Sequence, residues 1–146
     1  MTEQDSAEEK CKPWFDRVFN RYKNNLGGIN ALVAKGNNEF IGQCRLLIYS
    51  VDGFEELEIG YSLMRKFRGK GYAIEAAKKC KDFAFENNLT ESVISIIHIE
   101  NEKSEKVALK NEMTLYKTTA YYNSKVNICR NNKSDWNNEK FSNAYR

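Results

Sequence analysis

A glycine-bearing turn between a strand pattern and a helix pattern is the feature that most constrains this chain. Residues 57–63 have the pattern of a strand, and residues 70–87 place apolar and small residues on one side of a helix. Residues 92–99 are β-branched and almost continuously apolar, which is typical of a strand covered on both faces. Strand, helix and buried strand form a βαβ unit, so the two strands are predicted to be parallel neighbours.

The turn itself, Arg68-Gly69-Lys70-Gly71-Tyr72-Ala73, predicts an anion site. The first amides of a helix have no partners within the helix and lie at the positive end of its dipole, so they can hold phosphate oxygens. Phosphate approaches several such amides only where side chains are small, and Gly69, Gly71 and Ala73 stand at suitable positions. Glycine turns before helices are nevertheless common, and many of them bind nothing.

The rest of the chain adds helices and strands of a single domain, residues 1–146. The spacing of apolar residues predicts a helix over 6–25, strands over 30–34 and 39–49, a short helix over 101–110, and a hairpin of 113–122 with 125–129. The tail from residue 131 is rich in Asn, Lys and Ser and is predicted to be loose, unless Trp136 and Phe141 pack against the domain and hold it.

Composition excludes several classes of function. A net charge of +3 without a dense basic face argues against a nucleic-acid partner. The four cysteines are far apart in sequence, and His98 is the only histidine, so neither a zinc site nor another metal site is predicted. No apolar run approaches the roughly 20 residues of a membrane span. We therefore expect a soluble, cytoplasmic protein with no membrane partner.

Three stretches in order carry a resemblance to a known family: Leu57-Glu58-Ile59-Gly60-Tyr61-Ser62-Leu63, then Phe67-Arg68-Gly69-Lys70-Gly71-Tyr72-Ala73, then Asn101-x-x-Ser104-x-x-Val107-Ala108. Together they resemble the GNAT superfamily of acyl-CoA-dependent N-acetyltransferases, and most of all its branch of ribosomal-protein alanine N-acetyltransferases. The resemblance implies an α/β fold of the α+β kind. Its sheet would be mixed and mostly antiparallel, with a central parallel pair, flanking helices and acyl-CoA in a gap between the two middle strands. The first strand of the family is expected to be missing here.

The resemblance also implies where acetyl-CoA, the co-substrate, would bind. Arg68 would begin the pyrophosphate motif, and one arm of pantetheine would touch Asn101. Backbone groups of one strand would run beside pantetheine: Tyr61, Ser62 and Leu63. Backbone amides of the turn would hold the pyrophosphate: Gly69, Lys70, Gly71, Tyr72, Ala73 and Ile74. No metal is implied.

The resemblance implies that a primary amine attacks the thioester directly. This amine would belong to a protein N-terminus or to a small molecule. Glu58 is the preferred general base, acting through water, and His98 is the alternative. The family often supplies a tyrosine as the general acid on the second helix, but that position is Ala108 here, so Ser104 is preferred. Tyr116 is a further hydroxyl.

Two departures from the family limit this interpretation. Glu112 stands where glycine is usual, and Arg65 stands where proline is usual. An acyl-CoA-binding module without transferase activity is therefore the alternative function, and a nucleotide- or RNA-binding module is a weaker one. A homodimer is left open.

Overall fold

The chain forms one mixed sheet with helices packed on it in a computed structural model that describes residues 27–144. The helix expected over 6–25 lies outside the described residues. The elements follow in this order: β1 (Gly27–Val33), β2 (Phe40–Val51), β3 (Phe54–Leu63), a short 3₁₀ helix (Arg65–Phe67), α1 (Tyr72–Glu86), β4 (Ser92–His98), α2 (Glu102–Lys110), β5 (Thr114–Tyr121), β6 (Ser124–Asn132) and α3 (Lys133–Ala144).

The sheet confirms the predicted mixed, mostly antiparallel topology. Over residues 27–144 its strand order is β1-β2-β3-β4-β6-β5. Only β3 and β4 are parallel, and they pair over two positions, Leu57 with Val93 and Glu58 with Ile94. All other neighbours are antiparallel. The expected absence of the family's first strand concerns the chain before Gly27 and stays a prediction.

Helix α1 lies close to the sheet because its inward face is made of small residues. Ala76, Ala77 and Ala84 are buried there beside Cys80. They belong to the main core, which also contains Ile59, Phe85, Val93, Ile97 and Met113. A second cluster lies on the other face of the sheet and contains Val51, Ile94, Val126 and Ile128.

The C-terminal segment differs from the loose tail that the sequence predicts. Helix α3 begins at Lys133, and its Trp136 is buried against Phe85 with ring centroids 5.3 Å apart. The Trp136 indole Nε1 donates a hydrogen bond to Asp82 over 2.8 Å. Contacts with α1 therefore hold a segment whose composition alone indicates no structure. None of the helices in the described part of the chain is long and apolar enough to cross a membrane.

Candidate functional site

The central strands β3 and β4 separate beyond Glu58, and side chains take the place of the missing ladder bonds. The Ile96 backbone N–H donates to Glu58 Oε2 over 3.3 Å. The Ser95 hydroxyl donates to the backbone oxygen of Ile59 over 3.0 Å. The Ile96 N–H and the Ile59 carbonyl would otherwise be unpaired between the strands, so the Glu58 and Ser95 side chains stabilise the gap.

This gap contains a cavity of about 160 Å³ that lies beneath α2. Its polar lining comes from β2, from both central strands and from α2 with its two flanking residues: Arg45, Glu58, Tyr61, Ser95, Asn101, Ser104 and Asn111. The structure thus brings the two predicted catalytic residues, Glu58 and Ser104, to one cavity together with Asn101 and Tyr61.

Glu58 is the buried carboxylate of this cavity, with 5% of its surface exposed. It comes from β3 at the last position paired with β4. A carboxylate buried beside a polar cavity is a candidate proton acceptor for a molecule that enters the gap.

Asn101 and Ser104 are joined at the start of α2. Asn101 is the N-cap residue, and its side-chain oxygen accepts a hydrogen bond from the Ser104 backbone N–H over 3.1 Å. The Asn-x-x-Ser spacing therefore has a structural reason, since the cap satisfies one of the unpaired amides of the helix. Capping uses the Ser104 backbone, and the Ser104 side chain lines the cavity.

Tyr61 lines the same cavity from β3, and its buried hydroxyl lies within hydrogen-bonding reach of the Ser104 side chain. Burial raises the pKa of this phenol above its ordinary value of 10.0; the adjacent Ser104 side chain opposes the shift, and the charge of Glu58 adds to it. The phenol is therefore neutral at physiological and moderately alkaline pH and can donate a hydrogen bond.

The glycine turn leads into α1 with the backbone geometry of an anion site. Gly69 and Gly71 have left-handed φ angles of 76° and 84°, which favour glycine. Gly71 is the N-cap residue of α1, and no side chain caps this end of the helix. The helix begins at Tyr72, two residues later than the predicted start at Lys70. The amides from Gly71 through Ile74 accordingly form the open N-terminal turn of a helix.

The end of β3 next to this turn has an edge that pairs with no other strand of residues 27–144. Tyr61, Ser62 and Leu63 pair with β2 on one side, whereas the pairing of β3 with β4 has already ended at Glu58. Arg68 Nε donates to the backbone oxygen of Leu63 over 3.3 Å, which ties the turn to the strand. An extended ligand could lie along this edge as an added strand does.

The alternative catalytic residues lie elsewhere. His98 is exposed, accepts a hydrogen bond from the Glu100 backbone N–H at Nδ1 over 3.2 Å, and does not line the cavity. Tyr116 is 57% exposed, and its ring lies 4.4 Å from the guanidinium carbon of Arg130. Neither residue is positioned beside Glu58 in this cavity.

The two departures have different consequences. Glu112 has a φ of 63°, which is the left-handed conformation that favours glycine, the residue usual in the family at this position. Arg65 is exposed at the start of the 3₁₀ helix, and its backbone oxygen accepts a hydrogen bond from the Arg68 N–H over 3.1 Å. Neither residue lines the cavity in the gap.

Sequence reasoning missed Ser95, Asn111 and the side chain of Tyr61. Ser95 is one of several residues in a buried strand, and its partner Ile59 is 36 positions away. Asn111 is 3% exposed, and both polar atoms of its side chain lack a partner in residues 27–144. No local signal distinguishes these residues, because their environment depends on how β3, β4 and α2 come together.

A larger groove of about 820 Å³ lies between α1 and strands β1 to β3. Its lining is mostly apolar and includes Leu46, Leu57 and Phe83. None of the predicted site residues lines it, so its size does not make it the candidate site. Residues 27–144 contain no group of three or more His, Cys, Asp or Glu side chains that could hold a metal ion.

Known proteins match this chain in both sequence and fold. Residues 1–114 match the acetyltransferase (GNAT) domain. The uncharacterized protein YkkB of Bacillus subtilis (strain 168) is 32% identical over 103 residues, which are 69% of this chain and 60% of that protein. The chain thus spans less than two thirds of the length of this curated relative.

Two solved structures share the fold. The ribosomal-protein-S5-alanine acetyltransferase of Vibrio fischeri superposes with a TM-score of 0.69 at 21% identity, covering 92% of this chain and 79% of that one. RimL, a ribosomal L7/L12 alpha-N-protein acetyltransferase in complex with coenzyme A, gives a TM-score of 0.70 at 16% identity, covering 87% and 73%. At these identities the likeness establishes the fold alone.

Proposed function

The chain belongs to the GNAT family of acetyltransferases, and we propose that it transfers the acetyl group of acetyl-CoA to a primary amine. The amine is a protein N-terminus or a small molecule. The observation that carries this proposal is the gap between β3 and β4, in which a buried carboxylate and a helix-borne hydroxyl line one cavity.

The features of α1 and β3 support acetyl-CoA as the acyl donor. The pyrophosphate would be held by the amides from Gly69 through Ile74, where two left-handed glycines precede a helix end without a side-chain cap. Pantetheine would lie along the edge of β3 from Tyr61 to Leu63, with Asn101 beside it. A Cβ added at Gly69 or Gly71 meets no atom within 4 Å, so the space in front of the turn is open.

Glu58 is proposed as the general base. The attacking amine must lose a proton, either directly or through water, and the buried Glu58 carboxylate lines the cavity where the thioester carbonyl would lie. One of its oxygens accepts the Ile96 N–H, which fixes the orientation of the carboxylate.

Ser104 is proposed as the group that delivers a proton to the departing CoA sulfur. It lies in the first turn of α2, across the cavity from β3, and Asn101 fixes its backbone. The amine attacks the carbonyl carbon, the C–N bond forms, and the C–S bond breaks with its electron pair going to sulfur. The amine proton leaves through Glu58, and the sulfur is protonated through Ser104.

The first experiment measures binding and turnover separately. CoA binding is measured by isothermal titration calorimetry, and thiol release from acetyl-CoA is followed across a panel of primary amines that includes peptides with free N-termini. The proposal expects saturable CoA binding and amine-dependent release. Saturable binding without amine-dependent release from any amine would instead favour the acyl-CoA-binding module.

The second experiment tests the base. Glu58→Gln keeps an oxygen that can accept the Ile96 N–H but cannot take up a proton, so CoA binding should be unchanged. Turnover should fall on the order of 100-fold, most strongly at pH values where the amine is protonated. Glu55→Gln is the matched control, because Glu55 is an exposed carboxylate on the same strand. Equal turnover of the two variants would remove Glu58 as the base.

A further inference from the structure

Arg45 is a cation beside the gap that the proposed reaction does not use. It lies on β2 opposite Gly60 of β3, and it lines the same cavity of about 160 Å³ as Glu58. A Cβ added at Gly60 would lie 2.5 Å from Cζ and Nε of Arg45 and 2.6 Å from Nη2. The guanidinium therefore rests against the backbone of Gly60, in space that the side chain of any other residue would enter.

The pleat of the sheet places Arg45 on the same face as the proposed base. Cross-strand partners share a face, and so do residues two positions apart on one strand, so Arg45 and Glu58 project from the same face. They are diagonal neighbours, a relation in which residues are separated by about 7–8 Å. Since the amine is proposed to lose its proton to Glu58, Arg45 lies on the side from which the amine arrives.

The charge of Arg45 is balanced by no carboxylate within residues 27–144. The ion pairs of this part of the chain join other residues, and Arg45 is half-buried. Burial is the main cause of the raised pKa of Tyr61, and the charge of Arg45 opposes that rise, so this charge acts within the cavity. A guanidinium partly removed from water is stabilised by a carboxylate partner. A ligand with an anionic group would supply that partner.

The phosphates of CoA are not the expected partner of Arg45. Their proposed site is the turn before α1, and α1 packs with Cys44 and Ile59 on the other face of the sheet. The last three residues of β3 and the short 3₁₀ helix also separate Gly60 from that turn. The anionic group that meets Arg45 accordingly belongs to the acceptor.

We propose that Arg45 determines the choice of acceptor by binding a carboxylate on the amine substrate. The inference rests on the proposed function and names its substrate class, an amine that also carries a carboxylate. A free amino acid and a peptide with an acidic residue beside its N-terminus both meet this description. The planar guanidinium donates two parallel hydrogen bonds to the carboxylate oxygens, which orients the substrate while Glu58 accepts the amine proton. Amines that carry only positive charge are repelled at this position.

The first test compares acceptors in matched pairs at saturating acetyl-CoA. One pair is alanine and alaninamide, and the other is an amidated peptide with aspartate at its second position and the same peptide with asparagine there. We expect kcat/KM to be at least about 10-fold higher for the carboxylate in one pair, and that pair identifies the acceptor as a free amino acid or a peptide. Equal kcat/KM within both pairs would overturn the role of Arg45 and leave the acetyltransferase proposal intact. No amine-dependent turnover with any acceptor would overturn both.

The second test assigns the preference to Arg45. Arg45→Gln should reduce it to about threefold or less, and Arg45→Lys should keep part of it because the charge remains without the planar fork. Arg65→Gln is the matched control, since Arg65 is an exposed arginine outside the cavity, and its preference should equal that of the original protein. If Arg45→Gln keeps the full preference, another group binds the carboxylate and the proposal is wrong.

The third test moves the guanidinium without removing it. Gly60→Ala places a methyl group where the end of the Arg45 side chain lies, and Gly60 is not among the residues with a left-handed φ. Because the end of an arginine side chain is flexible, the thermal midpoint should change little, while the preference for the carboxylate should fall as it does in Arg45→Gln. A preference that survives in Gly60→Ala would contradict the guanidinium position from which the proposal is argued.

Discussion

A negative charge placed at the start of α1 should remove CoA binding without unfolding the protein. Gly71→Glu is the perturbation, and Gly53→Glu is its control. The two glycines have φ angles of 84° and 85°, and a Cβ at either position meets no atom within 4 Å. A side chain in this left-handed conformation costs about 1–2 kcal/mol at each site. This conformational cost should therefore be similar in the two variants.

The electrostatic effect distinguishes the two positions. Gly53 lies in the turn before β3, and Gly71 follows the other end of that strand, whose 10 residues span about 33 Å. Two unit charges 4 Å apart near a protein surface repel by about 4 kcal/mol. Since Gly71 is exposed, we reduce this value to about 2 kcal/mol for solvent screening, which corresponds to an affinity loss of about 30-fold. The glutamate also competes for the helix amides, so 30-fold is a lower bound.

Calorimetric titration with CoA and urea unfolding together test this reasoning. Gly71→Glu should bind at least about 30-fold more weakly than Gly53→Glu, with a smaller difference at high salt. Its free energy of unfolding should be no lower than that of Gly53→Glu, because a carboxylate at a helix N-terminus stabilises the helix. If Gly71→Glu binds CoA within about threefold of Gly53→Glu, the α1 N-terminus does not hold the pyrophosphate.

Three further predictions concern stability. Ser95→Ala leaves a strand carbonyl in the gap unpaired and should lower the free energy of unfolding by about 1–3 kcal/mol in urea titrations. Glu112→Gly removes the strain of a left-handed φ but gives the unfolded chain more conformational freedom. The free energy of unfolding should therefore stay equal or rise by up to about 1 kcal/mol, and a decrease would contradict the strain at this position. Burial opposes a low pKa for Asp82, but hydrogen bonds from Lys78 and Trp136 bring that pKa below 3.8. The stability that Asp82 contributes is present above pH 3.8 and is lost as the pH falls through its lower folded value, so acid titration of Asp82→Asn should show a shallower decline.

The order of elements was predictable because each pattern is local. The parallel pair of β3 and β4 followed from the βαβ rule. The glycines of the turn before α1 were predicted only as small residues, and the structure adds that their φ angles are left-handed. The short helix α3 was not predicted, because its residues are mostly polar. Trp136 was named as a possible anchor of this segment, and the structure shows its contacts with Phe85 and Asp82 of α1. The amino-acid composition of this segment shows that it is polar, but it does not predict the packing of Trp136 against α1.

The candidate catalytic residues could be named from the sequence because they lie in local motifs. The resemblance to the family made Glu58 and Ser104 the candidate catalytic residues, and the structure places both beside one cavity. The position of the Tyr61 hydroxyl in the cavity has no sequence signal, since a strand tyrosine is ordinarily a packing residue. Its environment arises only where β3 separates from β4 under α2.

Glu58 has both a structural role in the gap and the proposed catalytic role. Its carboxylate accepts the Ile96 N–H at the point where strand pairing ends, so one side chain serves both the separation of the strands and the proposed proton transfer. Glu58→Ala would remove both roles, and a loss of turnover in that variant could come from a closed or distorted gap. Glu58→Gln retains the acceptor for Ile96 and loses only the titratable oxygen. The difference in turnover between these two variants therefore measures what the strand separation contributes, and the difference between Glu58→Gln and the original protein measures what the proton acceptor contributes.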